Sequence, residues 1–68
     1  MTTKAEFNQL VLSGINRTIA KLQNALEEDK NKIENIHNAS VYWFELHTRI
    51  TRLQKDIKRL EESKIKYQ

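Results

Sequence analysis

A chain of 68 residues with no cysteine, no proline and one glycine has room for one domain, 1–68, and no disulfide to brace it. Two histidines leave few donors for a structural zinc site, and no apolar run approaches the ~18–20 residues of a membrane span. The formal net charge of +3 is modest, and Met1–Glu6 lacks the charged and apolar regions of a secretory leader, so neither a strong polyanion binder nor an exported protein is expected.

Thr3-Lys4-Ala5-Glu6 has capping-box spacing, which starts a first helix predicted over about 4–37. Leu12, Ile15, Ile19, Leu22, Leu26, Asp29, Ile33 and Ile36 then step alternately by three and four, the period of a coiled-coil stripe. Leu10 and Val11 widen the apolar arc next to Gly14, a residue that permits close backbone approach. Val11, Thr18 and Ala25 add small side chains beside the stripe. Leu10, Val11, Gly14, Thr18 and Ala25 are therefore the candidates for packing against a second copy. Asp29 breaks the stripe; it is either a device that fixes register or an exposed residue. Glu34-x-x-His37 has the spacing of one half of a carboxylate–histidine metal motif, without the further inward acids a site needs.

Asn38-Ala39-Ser40 supplies the turn, with asparagine suited to a left-handed helix end and Ser40 to the next N-cap. The second helix is predicted over about 41–66. Its stripe runs Trp43, Leu46, Ile50, Leu53, Ile57, Leu60, Lys64 and Tyr67. Val41-Tyr42-Trp43-Phe44 covers nearly the whole helix circumference at ~100° per residue, more than one neighbouring helix can shield. Tyr42, Trp43 and Phe44, with His47 beside them, are the candidate partner-binding residues. Arg52, Arg59 and Lys66 recur every seven residues, and with Arg49, Lys55 and Lys58 they form a basic face. Asp56, Glu61 and Glu62 lie at three- and four-residue spacings from these bases, suited to helix-surface ion pairs. Residues 1–38 balance in charge, so the whole excess of +3 falls on residues 39–68.

Pairing the stripes outward from the turn puts Ile36 with Trp43, Leu26 with Leu53 and Ile19 with Leu60, and each such pair of numbers sums to 79. The expected fold is all-α: an antiparallel helical hairpin with a coiled-coil-like seam. One unbroken helix and a break near Asp29-Lys30-Asn31 are the rival arrangements. Below roughly 70–80 residues a lone core rarely suffices, so the hairpin is expected to form a homo-oligomeric helix bundle, a four-helix dimer first among the possibilities.

No glycine-rich phosphate loop, cysteine nucleophile or paired catalytic carboxylates occur, and neither cofactor nor metal nor catalytic residue is expected. The expected function is that of a non-enzymatic binding module, an adaptor or inhibitor working by protein–protein contact. Binding of a phosphorylated small ligand or a nucleic acid by the basic face is the alternative. In layout the chain resembles the small helical proteins by which phages block host enzymes or sequester nucleotide immune signals. The lack of a membrane-length apolar run and of a leader pattern reads as a cytoplasmic protein, in the host's cytoplasm if phage-encoded, without a membrane partner.

Overall fold

Thr3 opens the first helix by accepting a hydrogen bond from the Glu6 amide at 3.1 Å, which satisfies one of the orphan donors of a helix start. A computed structural model describes residues 3–68 and carries this helix, α1, over Lys4–Glu34. The second helix, α2, spans Val41–Lys64 and passes into a single 3₁₀ turn at Ile65–Tyr67. Ser40 caps α2 by accepting from the Trp43 amide at 3.0 Å. No strand occurs among the described residues.

An unbroken helix over the same residues would measure about 90 Å or more at ~1.5 Å per residue. The observed extents are 56 × 15 × 13 Å, so the two helices lie side by side. α1 runs without interruption through Asp29, Lys30 and Asn31, which removes the rival break there.

The helix ends differ from expectation, and the asparagines explain the first of them. α1 stops at Glu34 instead of reaching His37, and the connection occupies residues 35–40 rather than 38–40. The Asn35 amide side chain donates back to the Asn31 carbonyl at 3.0 Å, while the Asn35 and Ile36 backbone amides reach only three residues back, to Lys32 and Ile33. The last turn tightens and the α-ladder ends. His37 then serves the loop: its Nδ1 accepts from the Ala39 amide at 3.2 Å. No non-glycine residue among those described has positive φ, so the reversal is made without the left-handed asparagine anticipated. At the other end α2 closes at Lys64, two residues short of Lys66, as its backbone tightens into the 3₁₀ turn.

Every position of both stripes is at least partly covered, from Leu12 to Ile36 and from Trp43 to Tyr67. Full burial is rare, being reached among the described residues only by Ile19 at 6% exposure and by Leu46 and Asp29 at 2% each. Two helices share one line of contact, so the remaining seam residues keep one edge in water. The flanks of the seam differ. On one flank Val11, Ala25, Asp56 and Ser63 are half-buried, whereas on the other Asn16, Gln23, Lys30, His47, Gln54 and Glu61 are all exposed.

Asp29 sits in the seam, and the Arg49 guanidinium approaches it from α2 with Nε 3.1 Å from Oδ2. The approach is close but off-axis, and Oδ2 makes no hydrogen bond. Arg49 itself is 61% exposed, so this is a buried acid answered by a half-solvated base.

Two measurements test this fold. Cysteines at Leu26 and Leu53 are expected to crosslink within one chain, read as a compacted monomer on a non-reducing gel; bridging only between chains would mean that the helices exchange partners. Arg49→Met is expected to cost about 1–3 kcal/mol in urea unfolding, because it leaves the buried Asp29 carboxylate without the cation beside it. Asp29→Leu removes that burden and is expected to raise the unfolding midpoint. A midpoint unchanged by either substitution would deny the pair any energetic role.

Candidate functional site

α2 rises directly out of the connection 35–40, so its first turn of side chains stands at the end of the rod. Trp43 points into the seam and is half-buried; Val41, Tyr42 and Phe44 remain 75%, 50% and 58% exposed. The helix-1 flank that might have sheltered them does not. Trp43 organises the cluster: the Phe44 ring meets it edge-on, centroids 5.2 Å apart and planes at 90°, and the His47 imidazole stacks on it at 5.1 Å and 19°. His47 is exposed, and with Trp43 it forms a rigid aromatic ledge rather than a general base with an acid behind it.

Two shallow grooves leave this ledge along α2. Val41, Phe44, Glu45, Thr48 and Arg49 line one; His47, Thr48, Thr51, Arg52 and Lys55 line the other. Thr48 and Thr51 turn their hydroxyls onto the carbonyls of Phe44 and His47, at 2.9 and 3.0 Å, so both grooves are floored by satisfied side chains. The structure thus brings the aromatic end and the first three bases of the helix, Arg49, Arg52 and Lys55, onto one continuous surface.

The basic face stands largely alone. Among the described residues the one ion pair is Arg49 with Asp29, and Arg52, Lys55, Lys58, Arg59 and Lys66 have no carboxylate within 4.0 Å. The surface pairs anticipated with Asp56, Glu61 and Glu62 are absent, in keeping with the small net worth of exposed pairs.

At the open end of the hairpin Leu10 is 68% exposed, while Val11 and Ala25 are half-buried on the flank. Thr18 is exposed, and its hydroxyl donates to the Gly14 carbonyl at 3.0 Å, so it asks nothing of an outside partner. A Cβ added at Gly14 would meet nothing within 4 Å, so no close approach inside the chain requires this glycine.

Sequence reasoning passed over Phe7, 55% exposed, and Ile65, 71% exposed, which join Leu10 at the open end. Both fall off the stripes. Their signal is the spacing itself: Phe7 lies one turn before Leu10, and Ile65 lies at the close of α2 among charged residues. Glu34 and His37 do not share a helix face, because α1 ends between them, and no group of three metal-donating side chains forms among the described residues. No helix there is long and apolar enough to cross a membrane. Compared with known protein families, with curated proteins and with solved structures, the chain matches none.

Proposed function

We propose that the chain is a small non-enzymatic module that associates with itself and docks on another protein, as an adaptor or as an inhibitor that covers a partner's working surface. The observation that carries this reading is the aromatic ledge. Val41, Tyr42 and Phe44 are half or more exposed around an anchored Trp43, on a rod that fully buries only two aliphatic side chains among the described residues. Large aromatic side chains held rigid at low entropic cost are what protein interfaces select.

Self-association is supported by the same accounting. Among the described residues six large apolar side chains stand in water at the two ends of the rod, and a single seam gives them no place to go. The lack of ion pairs along Arg52, Lys55, Lys58 and Arg59 supports a second reading, in which that row grips a phosphorylated ligand or a nucleic acid.

The two readings part in one experiment. Wild type, Phe44→Ala with Tyr42→Ala, and Arg52→Glu with Arg59→Glu are compared for retention of a partner from lysate of the source cells and for binding to generic RNA and DNA oligonucleotides across salt concentrations. The aromatic substitutions are expected to cost about 2 kcal/mol or more each in partner affinity, and charge reversal to slow the on-rate while leaving the complex intact. A salt-steep oligonucleotide complex, lost on charge reversal and indifferent to the aromatic changes, would transfer the function to the basic face.

A further inference from the structure

The exposed apolar side chains fall at opposite ends of a rod 56 Å long: Val41, Tyr42 and Phe44 beside the turn, Phe7, Leu10 and Ile65 at the open end. Charge is divided along the same axis. The half nearer the turn, residues 27–52, carries five acids against four bases; the open half carries eight bases against four acids. A parallel pair of rods would set the basic halves against each other and leave like ends together. An antiparallel pair sets each basic half on the slightly acidic half of its neighbour.

We infer that two hairpins pack antiparallel about a two-fold axis, the turn end of each copy seated beside the open end of the other. This rests on the self-association in the reading above and names its orientation and face. In the common register, Val11 and Tyr42 stand equally far from the level between Ala25 and Asp56, so an axis at that level brings each Tyr42 to the height of the partner copy's Val11. A closed two-fold contact of this kind is self-complementary, since the same surface is used by both copies.

The face is the flank carrying Val11, Thr18 and Ala25 on α1 and Tyr42 on α2. The single hairpin already half-buries Val11 and Ala25 there on α1 and Asp56 and Ser63 on α2, the Thr18 hydroxyl is satisfied by Gly14, and Arg49 of this flank lies against Asp29. Phe7 and Tyr42 bracket it. The opposite flank presents Asn16, Gln23, Gln54 and Glu61, whose burial would desolvate polar groups without partners. Phe44 and Val41 lie off the chosen flank, so the dimer leaves them free for another protein.

With no native cysteine, single nitroxide labels report the arrangement. A label at Asn24 lies at the level of the axis and is expected to give a short distance between copies. One at Asn38 is expected about 40 Å from its mate, from some 28 residues of offset at ~1.5 Å each. Thr18→Glu, exposed in the single hairpin, is expected to abolish both couplings and reduce the sedimenting mass to a monomer with helicity retained; Ala20→Glu, on the opposite flank, is expected to keep the dimer. Short distances at both labels would establish a parallel pair and overturn the orientation, leaving self-association intact. Loss of the dimer with Ala20→Glu but not Thr18→Glu would overturn the face. A monomer at all concentrations would overturn the dimer, while partner retention through Phe44 would still decide the docking function.

Discussion

Everything in this molecule follows from the fact that two helices share only one line of contact. A third helix would give each stripe a second wall; here each residue of the seam meets one neighbour and water. That is why two stripes of heptad spacing produce full burial among the described residues only at Ile19, Asp29 and Leu46. The same limit explains the ends. Four consecutive large apolar residues at Val41–Phe44 can offer the seam one side chain, Trp43, and the geometry of a helix forces the other three outward. The caps at Thr3 and Ser40 matter more in such a fold than in a large domain, because tertiary burial contributes less to holding the helices.

Asp29 shows how specificity is kept in so thin an interior. A carboxylate in the seam costs desolvation, and Arg49 compensates it only from the side. Its value lies in register. Sliding α2 by one heptad in either direction would replace Arg49 beside Asp29 with Tyr42 or Asp56, neither a cation. An all-aliphatic seam would tolerate such slips with little change in buried area, whereas the buried acid accepts a base at one alignment alone. We read the pair as an alignment device rather than a source of net stability.

The seam was legible because its signal is collective: a spacing repeated over eight positions in each helix outweighs any single residue, and the turn could be placed from the mirror relation between the stripes. Local signals with one competing interaction were less so. His37 reads as helical until the Asn35 side chain takes the Asn31 carbonyl and the turn tightens. Ion pairs along α2 were suggested by spacing, yet exposed lysine and arginine side chains gain too little from such pairs to be held in them. Phe7 and Ile65 escaped notice because they belong to no stripe, and single exposed apolar residues carry no pattern until the ends of the rod bring them near Leu10.

The shape also bears on what kind of ligand the protein suits. Sites for small molecules are concave and bury most of the ligand, which takes walls on several sides. The grooves beside the aromatic ledge are each lined from α2 alone, and a third, along Gln23, Leu26, Glu27, Lys30, Asn31 and Glu34, from α1 alone. A ligand small enough to lie in such a groove would keep much of its surface in water. A macromolecule brings its own opposing wall, so burial at a convex or flat surface becomes possible without any cavity in the rod. Under the docking function proposed above, the aromatic ledge would supply area, and the row from Arg52 to Arg59, without carboxylate partners among the described residues, would supply a long-range field toward an acidic surface. On that proposal the two features singled out on α2 would cooperate, charge setting how quickly a partner arrives and the ring cluster how long it stays.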